Sequence, residues 1–311
     1  MKERPREPLQ NATFAVPEGS DGACLDRVVR DALPGAAWSR VRRAVETGKV
    51  SLDGQRVTDP TARVRAGQVV ELRVAARATA AAPRCAFRIV HADRDVVVVD
   101  KPPLVSSVPF DAGERDTLVD LVRAELSRRE QRALPPLGVV HRLDKETSGL
   151  VMFARTLPAK RHLKQQLRFH SVFRRYVALV HGQLEGQSFR SRLVEDRGDG
   201  LRGSTNNPRL GQPAVTHVSV LERFGNATLV ECRLETGRTH QIRIHLAEAG
   251  HPLVGERVYS RGLSGAVLEA PRLMLHAREL GFVHPRSEEQ VRFEAPIPED
   301  MARTIAALTR G

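Results

Sequence analysis

Cysteine is scarce in this 311-residue chain: Cys24, Cys85 and Cys232 stand far apart. No two of them have metal-ligand spacing, and an odd, sparse set builds no disulfide framework, which fits a reducing compartment. Aromatic residues make up only 4% of the chain, so its core must be aliphatic. No apolar run approaches the ~20 residues that a bilayer-spanning helix needs. The N-terminal MKERPREPLQ carries charge where a signal peptide has its apolar stretch. A membrane protein and a secreted disulfide scaffold are excluded on this reading, and a cytoplasmic location is expected. Nucleotide-binding signatures are missing as well. There is no P-loop, no G-x-G-x-x-G after a strand, and no serine in a nucleophile elbow. His240 and His245 do not fall in an H-E-x-x-H pattern, so zinc is not expected. Neither a cofactor nor a metal is expected.

What is abundant is positive charge. Lys and Arg outnumber Asp and Glu by 49 to 37, a formal net charge of +12. Such a surface favours anionic partners, of which nucleic acid is the commonest large one. At 41% hydrophobic the chain can bury a core, and its length suits two domains.

Residues 12–75 read as a small α/β unit. CLDRVVRDAL places Leu25, Val28, Val29 and Leu33 on one helical face. WSRVRRAVETGKV reads as a second helix with Ser39 as N-cap and Gly48 as its stop. VSLDGQRV is a strand, an Asp53-Gly54 turn and a strand, and AGQVVELRV adds another. Residues 76–86, rich in Ala and without apolar periodicity, read as a linker. Residues 87–311 form the larger unit. VVVV (96–99), GLVMFA and RRYVALVHG read as strands, with the basic segment AKRHLKQQLRFH between the last two. AVTHVSVLERF and NATLVECRLE alternate as paired strands, and RLMLHAREL and QVRFEAP add more. DTLVDLVRAELSRR, GRTHQIRIHLAEAG and PEDMARTIAAL read as helices. The expected class is α+β with a mixed, largely antiparallel sheet in the larger domain.

Three polar clusters need a reason. HRLDKETSGL (141–150) sets seven polar side chains between apolar runs. Tyr176 sits inside FRRYVALVHG. ETGRTHQIRIHLAEAGHPLVGE carries Arg243. Taken singly, each has a bland account: a solvated turn, a core aromatic, an exposed helical arginine. Together they carry a resemblance. HRLDKETSGLVMFA resembles the first signature of the RluA-type pseudouridine synthases, H-R-L-D-x-x-T-S-G-L. RRYVALVHG looks like that family's Tyr-containing strand, and ETGRTHQIRIHLAEAGHPLVGERVY like its Arg-containing helix and the segment after it. LMLHARELGFVHP, FEAPIPED and VVVVDKPP match in order too, so the resemblance spans roughly residues 87–302. Residues 12–75 are similar to the small RNA-binding domain named after ribosomal protein S-four. Departures from the family pattern are Cys24 before Leu25-Asp26, Asp100 before Lys-Pro, SSVPF at 106–110, and Glu256 after Gly255. They are expected to bear on substrate contacts and to leave Asp144, Tyr176 and Arg243 untouched.

The resemblance implies isomerisation of uridine within RNA: the bond from ribose to the ring nitrogen breaks, the uracil turns, and a ring carbon is joined to the sugar. No redox or phosphoryl step occurs. It implies Asp144 as the carboxylate at the sugar, acting either as nucleophile or on a ribose proton. Arg243 is its expected partner, with a guanidinium able to grip a carboxylate in bidentate fashion. Tyr176 is expected to stack on the uracil. Arg142 is expected to brace the gap left by the extruded base. Two roles stand for His141: touching RNA, or holding the loop. Arg161, Lys164, Arg168, Arg174 and Arg175 are candidates for phosphate contacts, and Arg40, Arg42 and Arg43 for the RNA-facing helix of the small domain. Ribosomal RNA of the large subunit is the favoured substrate, with transfer RNA the alternative and a monomer the default state. The rivals are a non-catalytic RNA-binding ribosome-assembly protein and a base hydrolase, which would release free uracil.

Overall fold

The computed structural model describes residues 9–33, 35–74, 87–109, 114, 116–260 and 267–309; the linker expected at 76–86 lies outside them. The chain separates into two compact units, one made of residues 1–85 and 109–115 and the other of 86–108 and 116–311.

In the first unit the order is β1 (Ala12–Ala15), α1 (Leu25–Ala32), α2 (Trp38–Glu46), β2 (Val50–Leu52), β3 (Gln55–Val57) and β4 (Val69–Leu72). The strands form an antiparallel sheet in the order β1-β4-β2-β3. Leu25, Val28 and Val29 of α1 and Val41, Ala44 and Val45 of α2 bury against Val50, Val70 and Leu72. Asp53 and Gly54 both take positive φ, 50° and 78°, as a two-residue hairpin turn requires. One expectation needs correction: the helix begins at Trp38, two residues earlier than an N-cap at Ser39 would place it, with extended Ala37 at its N-cap. β1 closes the sheet edge, its half-buried and exposed residues alternating.

The second unit carries β5 (Arg88–Ala92), β6 (Val96–Lys101), α3 (Leu118–Arg129), β7 (Gly138–Val139), β8 (Ser148–Ala154), α4 (Leu157–Arg168), β9 (Phe173–His181), β10 (Gln187–Val194) and β11 (Gly203–Thr205). Then come β12 (Gln212–Arg223), β13 (Ala227–Leu234), α5 (Gln241–Glu248), β14 (Leu275–Val283), β15 (Gln290–Glu294) and α6 (Glu299–Thr309). One long sheet runs β11-β10-β12-β13-β9-β14-β8-β6-β5, with β15 beside β14 and β7 beside β8. Among the described pairs only β8 with β14 is parallel. The class is α+β with an antiparallel-dominated sheet.

Both faces of the central strands are covered, and the period of two in their sequences sorts the side chains. Val97, Val99, Val151 and Phe153 face α3 through Leu118, Val122 and Leu126. Val96, Val98, Leu150 and Met152 face α4 through Ala159 and Leu163. On β9, Tyr176, Ala178 and Val180 join the α3 side, where α5 adds Ile242 and Leu246. Val177 and Leu179 turn to α6 and Met301. Continuous apolar runs are what strands buried on both faces look like.

A single row of residues crosses five strands and fixes their register. Cys232 pairs with Tyr176, Tyr176 with Ala277, Ala277 with Gly149, and Gly149 with Lys101. At Gly149 φ is +107°, and a Cβ there would lie 2.2 Å from the carbonyl oxygen of Ala277. Only glycine fits.

Candidate active site

The segment between β7 and β8 has no regular structure, and its backbone is held from several sides. Ser107 Oγ donates to the carbonyl of Leu143 at 2.8 Å and accepts from the Leu143 amide at 3.1 Å. Lys101, fully buried, donates from Nζ to the carbonyls of Pro102, Val105 and Lys145 at 2.9, 2.9 and 3.0 Å. The Thr147 amide closes a turn on the carbonyl of Asp144 at 3.1 Å. Ser148 Oγ meets Nδ1 of buried His276 at 3.0 Å. The carboxylate of Asp144 is thus presented by a loop whose neighbours on both sides are pinned.

That carboxylate lines a cavity of about 530 Å³ together with Arg142, Arg168, Tyr176, His240 and Arg243. Tyr176 is 8% exposed, and burial pushes its phenol pKa up, so it stays a hydroxyl donor. Arg243 comes from the inward side of α5 and is itself buried. Its Nη1 lies 3.8 Å from Asp144 Oδ2. The bidentate grip expected between these two goes elsewhere. Arg243 Nε donates to Glu256 Oε2 and Nη2 to Oε1, both at 2.7 Å. The amide of Val258 also donates to Glu256 Oε1, at 2.8 Å. Burial works against the charge of Arg243, and the Glu256 carboxylate outweighs it, so the guanidinium pKa is raised. Burial likewise opposes the charge of Glu256, and the bond from Arg243 carries its pKa down. Glu256, expected to stand apart from the reacting groups, is therefore in direct contact with one of them, as Ser107 is with the loop of another.

His240 lies in the segment that carries Arg243, but the resemblance assigns it no role. It stands at the N-cap of α5 with φ +58°, left-handed, which swings its ring to the cavity. Nε2 is 3.9 Å from Asp144 Oδ1, and Nδ1 is 2.7 Å from the hydroxyl of Tyr259. Burial lowers its pKa, with Asp144 pulling the other way. Only the folding of α5 against the Asp144 loop creates the contact.

Of the remaining expected residues, Arg142 and His141 line the same cavity. His141 Nε2 accepts from the Met152 amide at 3.1 Å, which ties the loop to β8. Burial, and after it the charge of Arg174, pushes its pKa down to about 3. Lys164 and Arg168 are exposed on α4, and Arg168 reaches the cavity wall. Arg174 lines the same cavity as well. Arg174 is 6% exposed and donates to the carbonyl of Glu235 at 3.0 Å. Arg175 is paired with Glu231 and Glu279, each at 3.2 Å. In the first unit Arg42 reaches buried Asp26 at 2.9 Å, so its head is engaged within the fold, while Arg40 and Arg43 lie half-buried on α2.

Among the described residues one trio has metal-ligand proximity, His91, Asp93 and His284. Its hydrogen bonds explain it otherwise. Nδ1 of His284 accepts from the amides of Arg286 and Ser287 at 3.3 and 3.2 Å, so Nε2 carries the proton and donates to Asp93 at 2.8 Å. That tautomer has no lone pair on Nε2 for a metal.

Known proteins are similar to this chain. The family model described as RNA pseudouridylate synthase matches residues 95–248, and that of the S4 domain matches residues 25–70. The chain is 37% identical to a ribosomal large subunit pseudouridine synthase D of Xanthomonas campestris, over 99% of this chain and 96% of that one. It is 39% identical to the protein of the same description from Xylella fastidiosa, over 94% and 91%. The chain belongs to the RNA pseudouridylate synthase family. The synthase also shares its fold with a solved human protein described as RNA pseudouridylate synthase domain containing 4, at 24% identity and a TM-score of 0.60, over 71% of this chain and 92% of the other. It is an isomerase that converts uridine to pseudouridine in RNA, with an S4 domain preceding the catalytic unit. Among the described residues no helix is long and apolar enough to cross a membrane.

Proposed function

We propose that this synthase modifies uridines of large-subunit ribosomal RNA, with Asp144 as the reacting carboxylate. The observation that carries the reading is the placement of Asp144 on the wall of a polar cavity, 3.8 Å from a buried guanidinium and beside Tyr176. The names of relatives that align along nearly their whole length support the choice of RNA.

The chemistry is built from the geometry. A uridine inside a helix cannot reach a walled cavity, so it must be extruded, at a cost of a few kcal/mol. Arg142, exposed at the cavity, fills the space the base leaves. Uracil stacks on the ring of Tyr176, whose hydroxyl remains protonated at neutral pH. Asp144 then acts at the ribose, at its anomeric carbon or on a ribose proton, while the N-glycosidic bond breaks. The uracil turns within the cavity, the new carbon–carbon bond forms, and the proton lost from the ring carbon is balanced by the one gained at the ring nitrogen. Arg243 holds positive charge next to Asp144 throughout, because Glu256 fixes its fork. The protein works as a cytoplasmic monomer, with α2 of the first unit contributing Arg40, Arg42 and Arg43 to RNA contact.

Pseudouridine mapping of total RNA tests this. Cells lacking the protein are compared with cells restored by wild type or by Asp144→Ala. Sites in large-subunit RNA should vanish in the deletion and return only with wild type. Sites lost from transfer RNA instead would move the substrate and keep the chemistry. Unchanged maps, with no modification by purified protein, would favour the RNA-binding assembly protein.

A further inference from the structure

Helix α4 differs from the other helices of its unit. Its sequence LPAKRHLKQQLR contains no acidic residue, whereas α3 ties down Arg128 and Arg129 with Glu125 at 2.8 Å each. Arg161, Lys164 and Arg168 recur at spacings of three and four, on one face, and all three are exposed. Leu163 and Ala159 hold the opposite face in the core. The positive stripe ends at the cavity, since Arg168 is one of its lining residues.

The next residue is Phe169, which is 67% exposed. Every other described phenylalanine is buried or half-buried. Phe169 caps α4, its amide bonded to the carbonyl of Gln165 at 3.0 Å, and His170 after it turns the chain with φ +58°. Leu167, Arg168 and His170 all line the cavity. An aromatic ring is therefore left in water between two residues of the cavity wall, at the end of a cationic stripe, in a chain with few aromatics. Hydrophobic burial does not account for it. Single-stranded nucleic acid does: such strands are held by a basic track for the phosphates and by aromatic faces on which bases stack.

We infer that Phe169 is a stacking platform for a nucleobase next to the target uridine, and that Arg161, Lys164 and Arg168 guide the phosphates of the same strand along α4 to the cavity. The inference rests on RNA being the substrate, and is indifferent to which RNA it is. It assigns to α4 the flanking nucleotides and leaves the extruded uracil to Tyr176.

The test is binding by the full-length protein in an Asp144→Ala background, so that turnover plays no part, to transcripts of large-subunit ribosomal RNA and of transfer RNA. Phe169→Ala should weaken binding to the preferred transcript roughly tenfold, the scale of one stacked base. Phe169→Trp should restore it. In a Trp38→Phe background the tryptophan introduced at position 169 should be quenched when RNA is added. Each of Lys164→Gln and Arg168→Gln should lower the slope of log affinity against log salt by about one unit or slightly less. Binding unchanged by Phe169→Ala, or lost and not recovered by Phe169→Trp, overturns the proposal. If the Asp144→Ala protein binds neither transcript, the proposed function itself falls. If it binds while purified wild type modifies nothing, the function falls and the platform stands or falls on the Phe169 variants alone.

Discussion

Glu256, and not Asp144, holds the guanidinium fork of Arg243: two bonds of 2.7 Å go to Glu256, and the remaining nitrogen stops 3.8 Å short of Asp144. The arrangement separates two tasks. Glu256 compensates the buried cation, and Asp144 keeps its oxygens for substrate. A carboxylate gripped by the full fork would be a weaker reactant, since each bond stabilises its lone pairs.

Removing one partner of this pair strands a buried charge. Glu256→Met should cost about 3–5 kcal/mol in urea unfolding, the usual scale for a broken buried ion pair. Arg243→Met should cost a similar amount and also lower the rate on RNA about a hundredfold or more, as loss of a preorganised cation does. The double variant should be more stable than either single one, because the surviving charge is gone, and remain inactive. A double variant whose loss is the sum of the singles would show that the two residues act independently.

Lys101 and Ser107 should act through the position of Asp144. Lys101→Met removes three bonds to carbonyls and fills similar volume, so unfolding should become easier by about 2–4 kcal/mol, at around 1 kcal/mol per bond. The bond to Lys145 stands next to the reacting residue, so kcat should fall by more than KM rises. Ser107→Ala leaves the Leu143 amide and carbonyl without their partner, a loss of about 1–3 kcal/mol. Steady-state kinetics on a ribosomal RNA transcript separates these variants from a binding defect, in which KM alone would change.

The parts that were legible in the sequence share a physical trait: their signal is local. Residues 96–101, 148–154 and 173–181 are apolar runs bounded by turn-formers, because both faces of those strands are covered. Asp144, Tyr176 and Arg243 stand in long, ordered motifs. What was illegible depends on distant segments meeting. β10 has a mostly polar sequence, QSFRSRLV, with only Leu193 fully buried, so its period is faint. The partner of Arg243 is 13 positions along the chain, and its choice of Glu256 over Asp144 is settled by how α5 and the segment after it fold together. His240 reaches Asp144 only because its backbone is left-handed, which no side-chain pattern announces. The ion pair of Arg42 was not legible either, because its acidic partner, Asp26, lies on the other helix.

Gly149 should tolerate no side chain. Its φ of +107° is unfavourable for any L-residue, and a Cβ would press to 2.2 Å on the Ala277 carbonyl, at the parallel pairing of β8 with β14. Neither atom can swing away, since both are sheet backbone. Gly149→Ala should therefore cost more than about 3 kcal/mol, beyond the range of ordinary substitutions. Gly225→Ala is the control: nothing lies within 4 Å of its Cβ position, and thermal unfolding should shift little. Equal melting temperatures for the two variants would mean that the β8–β14 contact is looser than described.

Acid should weaken the fold partly through His141. Its pKa in the folded state is pushed down to about 3 by burial and by Arg174, while the unfolded chain titrates near 6.5. The folded pKa is depressed, so the unfolded state binds the extra proton between these values. The contribution of His141 to stability is thus complete above pH ~6.5 and declines as pH falls toward 3, by at most ~1.4 kcal/mol per pH unit. From pH 7 to pH 5 this amounts to about 2 kcal/mol. Other histidines with lowered pKa, His240, His245 and His276, act in the same direction, so the wild-type profile alone does not isolate it. His141→Gln offers a side-chain oxygen to the Met152 amide and carries no titrating group. Its stability should be below that of wild type at pH 7, and the gap should close by about 2 kcal/mol at pH 5 when both are followed by urea unfolding. A gap that stays constant across that interval would mean that His141 takes up its proton in the folded protein, and that the loop before Asp144 admits a charge there.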